Sequence, residues 1–192
     1  MRSAIVLLSL VLPAAQVFAQ ELSTISTDPR VRVETSVGDF VIELDPGRAP
    51  LTTEAFLTNV TTGFYSGTVF HRVVSGFIAQ GGGYTTDLQL KPTDNSVINE
   101  SGNGLSNLRG TVGMARTAEP HSATTQFYVN LADNLDLNPR PTRWGYTVFG
   151  TVVEGMDVVD EIGHAPTGAG GEFERSVPVN PILIENVTLL IE

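Results

Sequence analysis

Residues 70–82 read FHRVVSGFIAQGG, and the prediction of the fold starts from this stretch. Two short apolar runs, Val69–Val74 and Phe77–Gln80, are separated by a Ser-Gly pair and followed by three glycines. This pattern is typical of two strands joined by a turn. Alternation along a strand places Arg72 on the face opposite His71. A cation among large apolar residues either protects a sheet edge from aggregation or belongs to a binding site.

The rest of the chain predicts a mainly β domain. Further strands are predicted at Val31–Thr35, Phe40–Leu44, Gly110–Ala115, Thr125–Leu131, Tyr146–Val153 and Pro181–Ile191. Helices are predicted at Leu51–Thr62 and Gly155–Ile162, because apolar residues recur there at helical spacing and a glycine follows each. The polar segment Tyr84–Leu108 predicts a long loop. Many short strands with two helices favour a barrel or sandwich whose openings the helices cover.

The composition is globular and strongly acidic. Apolar residues make up 41% of the chain, charged residues 17%, and the net charge is −10. Neither nucleic acid nor an anionic membrane is therefore expected as a partner. The chain has no cysteine, which excludes disulfides, thiol nucleophiles and thiolate metal sites. Its histidines, His71, His121 and His164, are widely spaced, so no metal site is predicted.

The first nineteen residues have the pattern of a secretory signal peptide. A basic start precedes the apolar run Ala4–Leu12, and Val17-Phe18-Ala19 fits a cleavage site after Ala19. The apolar run is too short for a membrane anchor. We therefore expect a signal peptide over residues 1–19, a polar leader over 20–30 and one domain over 31–192.

The stretch from Phe70 to Gly82 resembles the signature of the cyclophilin family of peptidyl-prolyl cis–trans isomerases, F-H-R-V/I-x-x-x-F-x-x-Q-G-G. Every fixed position of that signature is present. Gly113–Thr117, Ser122–Asn134 and Tyr146–Val152 resemble further family segments in their bacterial form. The resemblance implies an all-β fold, a closed eight-stranded antiparallel barrel capped by two α-helices. With the signal peptide, it implies an enzyme that assists the folding of exported proteins in the periplasm, with the extracellular space or the lumen of a secretory pathway as alternatives.

The resemblance also implies the activity and the residues that perform it. The reaction is rotation about X–Pro peptide bonds of polypeptides, which breaks no bond and needs no cofactor. The implied catalytic residues are Arg72, Phe77 and Gln80. The implied substrate-binding residues are Ile78, Ala115, Arg116, Thr117, Gln126, Tyr128, Leu137 and Tyr146. Among these, Phe77, Ile78, Tyr128 and Leu137 would form the proline pocket, with Tyr146 closing one side, while residues 115–117 would line the groove through their backbone.

The sequence departs from the family pattern at several of these positions. Ile78 replaces a common Met, and Tyr128 replaces Phe and would add a hydroxyl to the pocket. Asp136 stands where eukaryotic members carry the Trp that contacts cyclosporin, so weak cyclosporin binding is expected. The loop Leu135–Trp144 contains two prolines and could bring its Trp towards the site.

Two other functions compete with catalysis. The first is a non-catalytic chaperone that binds proline-containing peptides on the same fold, for which Arg72 would not be needed. The second is a hydrolase that uses His71 or His121 with a serine, although nothing in the sequence positions such a triad. His71 is expected to be a buried structural residue. No feature demands oligomerisation, so a monomer is expected.

Overall fold

The computed structural model describes residues 28–93 and 96–191. The predicted signal peptide and residues 20–27 of the predicted leader lie outside the described residues. The strands are β1 (Arg30–Thr35), β2 (Gly38–Leu44), β3 (Thr68–Val69), β4 (Arg72–Val74), β5 (Ile78–Gly81), β6 (Tyr84–Thr85), β7 (Thr111–Met114), β8 (Phe127–Asn130), β9 (Val148–Glu154), β10 (Thr167–Gly170), β11 (Phe173–Pro178) and β12 (Leu183–Leu190). The helices are α1 (Pro50–Thr61) and α2 (Met156–His164), and a 3-10 turn spans Leu135–Leu137.

Most strands belong to a single antiparallel sheet. Ten of them lie in the order β4-β5-β8-β7-β9-β2-β1-β12-β3-β6, and β10 and β11 form a separate hairpin. Within the described residues the outer strands β4 and β6 do not pair with each other, so the sheet is a curled half-barrel. The predicted mainly β fold with two helices is confirmed. The predicted closed barrel of eight strands is corrected to an open sheet of ten.

The break in the sheet has a local cause in the stretch from which the prediction began. The predicted strand Val69–Val74 is divided into β3, which pairs with β12, and β4, which pairs with β5. Between them the N–H of Phe70 donates to the carbonyl of Ile182 at 3.0 Å, and the Phe70 ring is buried. Because the chain changes partners at this point, β4 is the outer strand at one end of the sheet, and β3 lies next to the outer strand β6 at the other.

One face of the sheet and both helices enclose the core. Phe56 of α1 packs against Phe149 and Phe127, with ring centroids 5.1 and 5.7 Å away. Val159 and Ile162 of α2 are fully buried, as their helical spacing predicted. Both helices lie within a residue or two of their predicted bounds. No helix in the described residues is long and apolar enough to cross a membrane.

The long polar segment after β6 is mostly loop, as predicted, and side chains attach it to the core. Both oxygens of Glu100 accept backbone N–H groups at the start of α1, from Leu51 at 3.1 Å and Thr52 at 2.9 Å. Because α1 has no side-chain cap of its own, this carboxylate supplies the N-terminal partner. The amide of Asn103 donates to the carbonyl of Val148 at 2.9 Å. The loop therefore has a defined path beside the sheet.

The β10–β11 hairpin was not predicted, because its glycine-rich segment shows no alternation of apolar residues. It is held to the sheet by an aromatic contact. The ring of Phe173 lies 5.6 Å from that of His71 and 5.1 Å from that of Tyr84. The hairpin therefore covers the strand that carries Arg72.

Candidate active site

Four adjacent strands place one row of residues across the outer face of the sheet. Arg72 of β4 pairs with Gln80 of β5, Gln80 pairs with Tyr128 of β8, and Tyr128 pairs with Gly113 of β7. Directly opposite residues in paired strands share a face. The alternate residues of these strands are buried in the core, among them Val73, Ala79, Phe127 and Val129. The row therefore lies on the other face of the sheet.

The guanidinium of Arg72 is held through two amides. Its Nη1 donates to Gln80 Oε1 at 3.1 Å, and Gln80 Nε2 donates to Gln126 Oε1 at 2.9 Å. Partial burial lowers the pKa of Arg72, the nearby Arg175 cation lowers it further, and Tyr146 opposes the shift. Arginine nevertheless stays protonated in proteins. Among hydrogen bonds of the described residues, this one to Gln80 is the only one from the Arg72 side chain, so other N–H groups remain available to a ligand.

Tyr128 of this row forms, together with Tyr146 and Arg116, a wall that we call the aromatic wall. The rings of Tyr128 and Tyr146 meet edge to face with centroids 6.1 Å apart. The guanidinium of Arg116 lies 4.5 Å from the centroid of the Tyr146 ring. Its Nε donates to the carbonyl of Gly145 at 3.1 Å, and its Nη2 to that of Trp144 at 2.7 Å. The sequence predicted only a backbone role for Arg116, and the structure adds this contact of its side chain with the loop.

A pocket of 440 Å³ is lined in part by Gln80, the hydrogen-bond partner of Arg72. Five of the predicted site residues line it, namely Gln80, Ala115, Arg116, Thr117 and Gln126. The backbone N–H of Thr117 already donates to Ser122 Oγ at 2.9 Å. A peptide in this pocket would therefore meet side chains and the remaining backbone groups of residues 115–117.

The other predicted pocket residues lie around the row with different degrees of exposure. Phe77 and Leu137 are partly exposed, whereas Ile78 is buried. The carbonyl of Leu137 accepts the N–H of Tyr146 at 2.9 Å, which joins the 3-10 turn to the aromatic wall. The carbonyl of Phe77 accepts the side-chain amide of Asn134 at 2.8 Å. Hydrogen bonds thus connect Phe77 and Tyr146 to residues of the loop after β8.

The hydroxyl of Tyr128 differs from the expectation that it would face the pocket. It is buried and donates to Asn107 Oδ1 at 2.6 Å. Burial raises the pKa of Tyr128 well above its usual range. A Cβ at Gly113 would overlap this hydroxyl, so the space beside it exists because residue 113 is a glycine. Asn107 was missed in the sequence, where it is one of several asparagines in a polar loop.

No histidine belongs to the row from Arg72 to Tyr128, although His71 lies beside Gln126. His71 is buried, as expected, with its ring 4.4 Å from that of Tyr84, and burial lowers its pKa to about 4. His121 accepts a backbone N–H at Nδ1 and packs edge to face on the exposed Trp144, 5.2 Å away. The Trp144 ring therefore contacts His121, and the Trp144 carbonyl accepts Arg116 Nη2 of the aromatic wall. Across residues 28–93 and 96–191, no three His, Asp or Glu side chains are grouped to hold a metal ion.

The sequence matches a known protein family over most of the chain. The family model described as cyclophilin type peptidyl-prolyl cis-trans isomerase/CLD matches residues 30–189. The chain is 50% identical over 163 residues to peptidyl-prolyl cis-trans isomerase cyp18 of Streptomyces antibioticus, covering 83% of this chain and 98% of that protein. It is 46% identical over 162 residues to peptidyl-prolyl cis-trans isomerase B of Escherichia coli, covering 83% and 98%.

A solved structure supports the same fold. A cyclophilin type isomerase of Cryptosporidium parvum superimposes with a TM-score of 0.70 at 23% identity, over 86% of this chain and 99% of that one. With the family model and the bacterial relatives, the row of residues from Arg72 to Tyr128 leads to one conclusion: this chain belongs to the cyclophilin-type peptidyl-prolyl cis–trans isomerases and has their enzymatic activity.

Proposed function

We propose that the enzyme acts on proline-containing segments of polypeptides exported to the periplasm, with Arg72 as its central catalytic residue. The signal-like pattern of residues 1–19 supports export. A second Cryptosporidium parvum structure, with a TM-score of 0.68, was determined in the presence of the dipeptide Ala-Pro, which supports peptide binding by this fold.

The chemistry asks for stabilisation of a twisted peptide bond. Rotation costs about 18–20 kcal/mol because the C–N bond has partial double-bond character. A donor that approaches the prolyl nitrogen favours its pyramidal form, in which the lone pair no longer delocalises into the carbonyl. Such a donor accelerates rotation only if it binds the twisted state better than either planar isomer.

Arg72 meets this requirement because its orientation is fixed. Gln80 Oε1 takes one N–H at 3.1 Å, and Gln126 Oε1 fixes the other side of the Gln80 amide at 2.9 Å. This relay keeps the carbonyl of Gln80 directed at the guanidinium. The remaining planar N–H groups of Arg72 are then preorganised for the prolyl nitrogen. The placement of Arg72 by this relay is the observation on which the proposed mechanism depends.

The neighbouring groups divide the substrate between two regions. The proline ring would lie against Phe77, Leu137 and the edge of the aromatic wall, with Ile78 and Tyr128 behind them. The residues preceding proline would extend over the 440 Å³ pocket lined by Ala115, Arg116, Thr117 and Gln126. The pocket holds mixed polar and apolar side chains, so we expect a broad preference there.

Exchange spectroscopy of an Ala-Pro model peptide tests the mechanism. Arg72→Ala should lower the catalysed exchange rate by about a hundredfold or more, the loss typical of removing one preorganised donor. Arg72→Lys should also lose most of the rate, because an ammonium lacks the planar fork. Arg32→Ala, on the distant strand β1, is the matched control and should leave the rate unchanged. Full exchange by Arg72→Ala would refute the assigned role.

Localisation and inhibition are tested separately. Expression of the full chain in a Gram-negative host should yield a periplasmic protein whose N-terminus is Gln20. Retention of residues 1–19 in the cytoplasm would contradict export. Cyclosporin should bind weakly, because an exposed Asp136 stands at the position of the contacting Trp. Nanomolar inhibition of exchange would contradict this expectation.

A further inference from the structure

Four asparagines form a connected cluster behind the proposed proline pocket. Asn107 and Asn130 are completely buried, and Asn134 and Asn138 are partly buried. Buried amides are costly unless their donors and acceptors are paired. The partners of this cluster are the residues that form the walls of the pocket.

Asn107 is the centre of the cluster. Its Oδ1 accepts the hydroxyl of Tyr128 at 2.6 Å and Nδ2 of Asn130 at 3.2 Å, which uses both acceptor positions of an amide oxygen. Its Nδ2 and its backbone N–H both donate to Asn138 Oδ1, at 3.0 and 2.8 Å. Asn107 therefore joins the buried edge of Tyr128 to the residue that follows Leu137.

Asn134 extends the cluster to Phe77, which forms the third wall of the proposed proline pocket beside Tyr128 and Leu137. Its Nδ2 lies 2.8 Å from both the carbonyl of Phe77 and Oδ1 of Asn130, and its backbone N–H donates to the carbonyl of Asn107 at 2.7 Å. The three walls come from β8, the turn after β4 and the 3-10 turn, of which the turn after β4 is far from the other two in the sequence. The side-chain amides link these walls, together with the backbone hydrogen bond from Leu131 to Phe77 and the pairing of β5 with β8.

We propose that Asn107 is a positioning residue for catalysis: through the Tyr128 hydroxyl and Asn138 it holds the proline pocket in register with Arg72. This inference rests on the proposed placement of proline beside Arg72. If the pocket shifts relative to Arg72, it still binds planar proline, but the prolyl nitrogen of the twisted state is no longer aligned with the N–H groups of Arg72. The expected effect is therefore on kcat more than on KM, since a misplacement of about 1 Å costs roughly a hundredfold.

Two substitutions remove the proposed links. Tyr128→Phe deletes only the hydroxyl, and kcat for the Ala-Pro peptide should fall about fivefold, the value of one ordinary hydrogen bond. Asn107→Ala also releases Asn138, and kcat should fall about tenfold or more. KM should stay within about twofold in both variants, because planar proline still meets the same apolar surface.

Asn103→Ala is the matched control. Asn103 belongs to the same loop and its amide makes comparable hydrogen bonds, to the carbonyl of Val148 at 2.9 Å and from the N–H of Leu105 at 3.0 Å, outside the pocket. It should lower the Tm by a similar amount and leave kcat unchanged. If Asn107→Ala fails to fold, Tyr128→Phe still decides the question.

Three results would overturn the inference: an unchanged kcat in folded Tyr128→Phe, a rise of KM with constant kcat in either variant, or an equal loss of kcat in Asn103→Ala. Arg72→Ala, measured alongside, separates this failure from failure of the proposed mechanism. If Arg72→Ala abolishes exchange while Tyr128→Phe retains full kcat, the mechanism stands and the positioning role of Asn107 does not.

Discussion

Substitution of Arg116 should weaken one side of the site, because its side chain connects the loop after β8 to the aromatic wall. Four carbonyls accept its N–H groups, those of Thr117, Ala118, Gly145 and Trp144, at distances of 2.9, 3.4, 3.1 and 2.7 Å. Its guanidinium also lies 4.5 Å from the Tyr146 centroid. Within the described residues, no other Lys or Arg side chain donates a hydrogen bond to these carbonyls.

The magnitude follows from these contacts. Hydrogen bonds to a charged donor contribute about 1.5–3 kcal/mol each when buried and less when solvent competes. The contact over an exposed ring contributes about 0.5–1 kcal/mol. Because Arg116 is only partly buried, we expect Arg116→Ala to lower the free energy of unfolding by about 2 kcal/mol. Arg116→Lys should lose about half of that, since an ammonium cannot reach the four carbonyls together.

The assay uses the single tryptophan of the chain as a local probe. Trp144 carries one of the accepting carbonyls, so its emission reports the loop, while circular dichroism in urea reports the sheet. Arg116→Ala should red-shift the emission without urea and raise KM for the Ala-Pro peptide. The control is Arg109→Ala, which breaks an exposed pair with Asp160 and should cost at most about 1 kcal/mol without changing the emission. Equal stability, emission and KM in Arg116→Ala and the native protein would refute the reasoning.

Three further predictions concern stability. The folded pKa of His71 is about 4, below the unfolded value of 6.5, so protonation of the unfolded state should lower the free energy of unfolding as the pH falls from about 6.5 to 4. In His71→Phe the urea midpoint should therefore depend less on pH over this range. The same pH dependence in the variant and the native protein would contradict this prediction. Glu100→Gln removes the carboxylate at the N-terminus of α1 and should cost about 1 kcal/mol in urea unfolding, with faster amide exchange in the first turn; unchanged exchange would count against this cap. In Gly145→Ala the new Cβ would overlap the backbone of residues 137–139 and should lower the free energy of unfolding by about 1–3 kcal/mol. In Gly168→Ala the new Cβ meets open space, so this variant should be as stable as the native protein. Equal melting temperatures for the two variants would contradict the predicted effect of the overlap.

The local part of the site could be predicted from the sequence. Arg72 and Gln80 belong to one hairpin, and the alternation of apolar residues along it decides which face each occupies. The helices were predicted equally well, because the spacing of Phe56, Val159 and Ile162 is itself a local property. The same is true of buried His71, which alternates with Arg72.

Only the tertiary structure decided which distant residues complete the site. The Tyr128 hydroxyl was expected in the pocket, and pairing of β8 with β7 turns it instead towards Gly113 and Asn107. In the sequence, a tyrosine hydroxyl or an asparagine amide looks the same whether it lies on the surface or in a buried hydrogen-bond network. Its partner is chosen by strand pairing and loop path, which involve residues far apart in the chain.

The same distinction explains the corrected shape of the sheet. The sequence predicted the bounds of β1, β2, β5, β7, β8, β9 and β12 within two residues, because turns and alternation act over neighbouring positions. The sheet stays open because β3 and β4 take partners at opposite sides of it, although only Phe70 and His71 separate these two strands in the chain. That choice is made by contacts with β12 and β5, since hydrogen bonds between strands join residues with no local relation in the sequence.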